Sequence, residues 1–186
     1  MLLNHALKEW SVAVEALMAG DTSLLLRKGG IRERAGKFTV PYEQVLLYPT
    51  YEHQRPELLK SAYQASVTPV PSGWHPETVT ISGWAKIEQV VQVLDADRVR
   101  ALLPLHIWNE QFVTDRLRWK PQQPLYVLLL RVYALPTSQI IDWHPDYGGC
   151  RSWIEIPPVE IADVSPVLTD EVQSDRIQAL ETALQR

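Results

Sequence analysis

A single cysteine, Cys150, stands in a sequence of 186 residues. One thiol excludes an internal disulfide and any zinc site built on several cysteines. Long apolar runs are also missing, since none approaches the roughly 18 residues needed to span a bilayer. The N-terminus, MLLNHALKEW, meets charge at Lys8 and Glu9 and has neither a basic start nor an apolar signal core. No secretory signal is read there, and a cytoplasmic location is expected. No Gly-x-Ser-x-Gly elbow, HExxH pair or dinucleotide fingerprint occurs, and there is no internal repeat.

What is present is a globular composition: 46% hydrophobic and 22% charged residues. That is enough apolar material for one core, and the length suits one domain. The expected division is a single domain over 1–156, with 157–186 as a linker and a C-terminal helix packed on it. The net charge of −4 comes from the tail. Residues 1–155 hold sixteen basic and sixteen acidic residues; the remaining two and six lie beyond them. On the neutral body, Arg27, Lys28, Arg32, Arg34 and Lys37 face Glu33 alone in sequence, and Arg116, Arg118 and Lys120 form a second basic cluster. Such local patches fit phosphate contacts, and they also fit a solvated surface.

Apolar periodicity gives a provisional map. Ala6–Trp10 reads as a short helix. Val12, Val14 and Ala16 alternate with other residues as in a strand, returning as a second strand over Ser23–Lys28 to make a hairpin. Phe38–Tyr48 reads as extended and Tyr51–Lys60 as a short helix, before a proline-bearing loop over Ser61–Pro76. Val79–Val93 carries apolar residues at odd positions and is the clearest strand, with a kink at Gly83. Asp95–Leu103 and Leu105–Arg118 read as helices. Pro124–Leu135 is apolar on both faces and reads as a central strand. Ile140–Trp143 and Arg151–Ile156 read as a closing pair, 157–166 as linker-like, and Thr169–Arg186 as a last helix with acidic residues at the dipole-favoured end. The class is α+β: a small, mostly antiparallel, β-barrel-like sheet with peripheral helices.

Three groups of residues carry candidate chemistry. Arg27-Lys28-Gly29-Gly30 is not a P-loop, but two glycines can offer backbone N–H groups to an anion while the cations add charge-assisted bonds. The seven tryptophans form the second group. Trp84, on the polar-looking face of its strand, and Trp119, beside Arg118 and Lys120, are candidates to stack on a base. The third group is histidine. His106 and Glu110 are four apart and share a helix face, and His53 is a candidate to join them as a metal or acid/base site. Cys150, beside Gly148-Gly149, reads as structural rather than nucleophilic.

The strings ALKEW (6–10), LLLRKGGIRE (24–33), LLYPTYEHQ (46–54), GWHPETV (73–79), HIWNEQFV (106–113), WKPQQPLYVLLLR (119–131) and YGGCRSWIEI (147–156) together resemble the bacterial domain-of-unknown-function family 1802. That resemblance implies no catalytic residues, because the family is uncharacterised. Some of its members are joined to an Mrr-type restriction-nuclease domain, which implies DNA-linked, restriction-associated work. No such second domain is read here, so nuclease activity is not carried over. The order of elements around GWAKIEQVVQV and PLYVLLLRVYALP is also similar to the PUA-like barrels of the ASCH and EVE groups, which bind RNA or read modified bases; this is an analogy of fold.

The leading expectation is therefore a PUA-like module that binds DNA or RNA through Arg27, Lys28, Gly29, Gly30, Arg32 and Arg118, with Trp84 or Trp119 on a base. Binding, rather than catalysis, is expected, with no cofactor, no metal and no membrane. The alternatives are a metal-dependent hydrolase or nuclease using His53, His106 and Glu110, and an assembly factor that docks a protein partner through the acidic C-terminal helix.

Overall fold

The computed structural model describes residues 1–28, 38–162 and 164–185. The basic loop that contains Gly29, Gly30, Arg32, Arg34 and Lys37 lies outside the described residues. Six strands form one sheet: β1 (Leu2–Trp10), β2 (Leu24–Arg27), β3 (Gln44–Thr50), β4 (Thr78–Val93), β5 (Leu125–Asp142) and β6 (Trp153–Glu160). Their order is β2-β5-β4-β3-β1-β6, and among the described residues only β1 and β3 pair in parallel. The helices are α1 (Ser11–Ala19), α2 (Ser61–Gln64), α3 (Ala96–Ala101), α4 (Glu110–Arg118) and α5 (Asp170–Gln185). The mixed, mostly antiparallel class is as expected, but the sheet does not close. Among the described residues β2 and β6 remain separate edges; side chains, not a hydrogen-bonded ladder, bring these edges together.

Two apolar cores explain the burial of both sheet faces. One lies between the sheet and the helices, with Leu7, Leu47, Leu128 and Leu130 meeting Leu17 of α1, Phe112 of α4 and Leu180 of α5. The other is built almost wholly of strand residues, including Ala6, Leu46, Ile81, Trp84, Ile154 and Ile156, around which the sheet curls. Neighbours on a strand alternate between the two cores, as Leu46 and Leu47 do on β3.

The first 28 residues depart most from the sequence reading. The stretch read as a helix is β1, because both of its charges are buried and partnered instead of facing water. The stretch read as a strand is α1. Ser11, Val12, Ala13, Val14, Ala16 and Leu17 are all buried, so no polar face marks the helical period. Its first turn is capped from outside: Gln54 Oε1 accepts from Ser11 Oγ (3.1 Å) and from the Val12 N–H (3.2 Å). Gly20, at φ 77°, ends it in a left-handed turn. The hairpin is thus a strand, a buried helix and a strand.

Elsewhere the strong patterns hold. β4 and α5 lie where periodicity puts them, while α4 begins five residues later than expected, at Glu110. Residues 140–142 prolong β5 along β4, and 153–160 pair with β1, so these two segments do not pair with each other. Pro157 and Pro158 lie in β6, an edge strand on which a missing N–H is tolerated. The C-terminal helix packs back on the sheet: Gln173, 1% exposed, donates to Glu88 Oε2 (2.7 Å) and to the Leu130 carbonyl (3.2 Å). Among the described residues no helix is long and apolar enough to cross a membrane.

Candidate functional site

Because β1 and β3 run in parallel, their C-terminal ends lie side by side, with Lys8 opposite Tyr48 and Glu9 opposite Pro49. A cleft of about 600 Å³ opens there. One end is lined by Arg27 at the end of β2, by Lys28 just after it, and by Phe112 and Arg116 from α4. The other is lined by Tyr51, Glu52 and His53 after β3, by Trp74 and His75 from the loop before β4, and by Trp143 and residues 147–151 from the loop before β6, while Ser152 lies beside Arg27.

Lys8 sits between the two ends. It is 9% exposed, and its ammonium donates to the carbonyls of Tyr147 (2.5 Å) and Gly149 (2.9 Å). Burial pulls its pKa below the usual lysine range. Glu9, 6% exposed, accepts from Arg27 at 2.9 Å, and the same guanidinium donates to Ser152 Oγ at 2.6 Å and the Lys8 carbonyl at 3.3 Å. Arg27 therefore ties β2 to β1 and to the start of β6, across the gap that a barrel would close. Lys28 is also buried; its ammonium donates to the Arg116 carbonyl at 2.8 Å, and burial, then the Arg116 charge, lowers its pKa.

The aromatic end is held by one carboxylate. Glu52 Oε1 accepts from the Gly73 N–H (2.6 Å) and Ser72 Oγ (3.2 Å), bonds that draw its pKa down. Gly73 adopts φ 83°, where a side chain would be strained. The turn presents Trp74, 42% exposed and edge-on to Tyr51, and His75, stacked on Trp143 at 3.4 Å between centroids. At the opposite end Trp108 stacks on Phe112 (5.0 Å), and the Arg116 guanidinium lies over the Phe112 ring, 4.9 Å from its centroid. Tyr48 has its hydroxyl buried, which pushes its pKa well above the usual phenol range.

Of the expected site residues among those described, Arg27, Lys28 and His53 line this cleft, and Trp84, His106, Glu110, Arg118 and Trp119 do not. Trp84 is a correction. It is 7% exposed and stacked on Tyr133 at 4.1 Å, so no base can reach it. The pairing irregularity between Ile81 and Gly83 shifts the alternation, and the ring turns into the second core. Arg118 and Trp119 are exposed at the far end of α4, with the Lys120 ammonium 4.6 Å from the Trp119 ring. His106 is buried at 2% exposure and lies outside the cleft, while Glu110 is exposed on the first turn of α4. Burial and then the charge of Lys60 push the His106 pKa down to about 4. The three do not converge, and among the described residues no group of three or more His, Cys, Asp or Glu is placed to hold a metal ion.

Sequence reasoning gave no ligand-facing role to Lys8 or Glu9; it met Arg116 in the second basic cluster, Glu52 beside His53, and Trp74 and Trp143 among the seven tryptophans. A signal for most of them existed. Six of the seven strings that carry the family resemblance contribute to the walls of this one cleft, although they are scattered from residue 6 to residue 156. The profile of one family, described as a domain of unknown function (DUF1802), matches residues 6–179. The chain belongs to the DUF1802 family. No curated protein matches this DUF1802 chain in sequence. Solved structures similar to it include the ASCH protein from Zymomonas mobilis, at 14% identity and a TM-score of 0.49, covering 95% of this chain and 94% of that one. A tyrosine-to-phenylalanine variant of the Zymomonas protein is similar at 14% identity and a TM-score of 0.48, covering 95% and 96%. Its serine-to-alanine variant is similar at 15% identity and a TM-score of 0.46, covering 95% and 94%.

Proposed function

We propose that this DUF1802 domain binds single-stranded nucleic acid and takes one nucleotide into the cleft between β1, β3 and α4. The observation that carries the reading is the composition of the cleft. Lys8, Arg27, Lys28, Arg116 and Arg151 meet only Glu9 and Glu52 among the described lining residues, in a protein whose net charge is −4. A concentration of cations in one concavity of an acidic protein attracts a local anion rather than a bulk polyanion surface. The same concavity offers Trp74, His75 and Tyr51 as ring surfaces, and bases stack on rings whatever their sequence. Its volume, within the usual range for small-ligand sites, suits a nucleotide and not a duplex. Reading of a modified base is the finer form of this proposal, since an enclosed aromatic wall distinguishes base shapes.

Fluorescence anisotropy with labelled single-stranded RNA and DNA tests it. Binding at low salt should weaken as salt rises, with a log–log slope of about −1.4 to −2 if two or three phosphates are engaged. Oligomers with and without methylated bases separate the general reading from the finer one. No affinity for any single strand at low salt ends the proposal.

A further inference from the structure

We propose that the α4 end of the cleft is a phosphate subsite centred on Arg116, so that a nucleotide lies with its phosphate against α4 and its base toward Trp74. The orientation rests on the nucleic-acid reading above; the anion subsite stands without it.

Arg116 is a half-buried cation in the last turn of α4. Its guanidinium lies 4.9 Å from the Phe112 ring centroid, and among the described residues it has no hydrogen-bond or ion-pair partner. The neighbourhood makes this more marked. Lys28 brings an ammonium to the Arg116 carbonyl at 2.8 Å, and Arg27 lies near enough for its charge to count against that of Arg116. The carboxylate shared by this group is Glu9, which Arg27 already occupies at 2.9 Å. Asp115, the other nearby acid, accepts from Gln111 at 2.7 Å. Burial first, and the Arg27 charge second, lower the Arg116 pKa, so the fold holds this guanidinium at a cost.

An anion with several acceptor oxygens removes that cost. Phe112 lies beside the guanidinium but takes none of its N–H donors, and the N–H edge of a guanidinium matches phosphate oxygens two at a time. Lys28 retains further N–H donors beside it, since the Arg116 carbonyl takes one of three. Trp10, edge-on to Phe112 at 6.3 Å, and Trp108 place fluorescent reporters next to the subsite.

The test titrates inorganic phosphate, adenosine, uridine and their 5′-monophosphates into the full chain, wild type, Arg116→Gln and Arg116→Lys, following tryptophan fluorescence and thermal stability. Urea midpoints establish that each variant is folded. Each monophosphate should bind about tenfold or more tightly than its nucleoside, the scale of a charge-assisted contact. Arg116→Gln should erase that advantage and leave nucleoside affinity unchanged, and Arg116→Lys should restore part of it. Inorganic phosphate should stabilise the wild type and not Arg116→Gln. Equal affinity for nucleoside and monophosphate, or an advantage that survives in Arg116→Gln, overturns the subsite. An Arg116-dependent response to phosphate with no response to either nucleoside supports the subsite and sinks the nucleic-acid reading. No response to any ligand overturns both.

Discussion

Replacing Arg27 by alanine should destabilise the domain before it changes any binding. Arg27 is 18% exposed and Glu9 is 6% exposed, so the pair is largely out of water. Removing the guanidinium strands the Glu9 carboxylate with one remaining bond, from the Trp10 N–H at 2.8 Å. It also deprives Ser152 Oγ and the Lys8 carbonyl of a donor and removes a cation 5.7 Å from the Phe38 ring. Breaking a buried pair by deleting one partner costs about 3–5 kcal/mol, most of it the uncompensated charge. For a domain of this size that is a fall in Tm of roughly 6–20 °C. Urea unfolding followed by tryptophan fluorescence measures it. The double change Glu9→Gln with Arg27→Met removes both charges and should recover most of the loss, because neutralised pairs of similar volume are often nearly as stable. An Arg27→Ala protein within about 1 kcal/mol of wild type would refute the view that this residue holds the sheet edges together. Loss of binding in Arg27→Ala is accordingly no proof of a phosphate contact, which is why Arg116 is the residue to change.

Other outcomes follow from the same geometry. His106 is held neutral by burial, with its pKa moved from 6.5 to about 4. The unfolded chain takes up that proton first, so stability should be complete above about pH 6.5 and fall by about 3 kcal/mol as the pH drops through 4. His106→Leu should flatten this slope in a pH series of urea midpoints; an unchanged slope contradicts it. Gly83→Ala would put a Cβ 2.4 Å from Met18 Sδ and 2.7 Å from the Tyr133 carbonyl. A loss of about 1–3 kcal/mol is expected, and Met18→Ala should not rescue it, because the carbonyl remains. Trp84→Ala should cost about 3–5 kcal/mol in urea unfolding. Trp74→Ala should change stability by less than about 0.5 kcal/mol and weaken single-strand binding about 5- to 150-fold. The reverse ranking would return Trp84 to the site.

Much of this fold is readable where one face of an element meets water. β4 shows its period because Thr78, Thr80 and Lys86 alternate with buried residues, and α5 shows its acidic first turn. β1 and α1 are opaque for the opposite reason. Lys8 and Glu9 are charges with internal partners, and α1 is buried on nearly all sides, so the polar pattern that separates helix from strand is missing. Trp84 misleads because one irregularity beside Gly83 exchanges the faces of a strand. The site is harder still. Its residues come from six segments, and neither charge clusters nor histidine spacing reveals that Lys8, Glu52 and Arg116 face one space. The basic stretch that looks most suggestive in sequence supplies Arg27 and Lys28, each already bonded within the chain.

The central claim is that the cleft binds a nucleotide of a single strand. The direct measurement is the dissociation constant for a labelled single-stranded oligonucleotide at low salt, for the wild type and for Trp74→Ala with Arg116→Gln, each with a urea midpoint confirming the fold. The account predicts salt-sensitive binding by the wild type and a loss of at least about tenfold in the double variant. Equal affinity in the two folded proteins would contradict it.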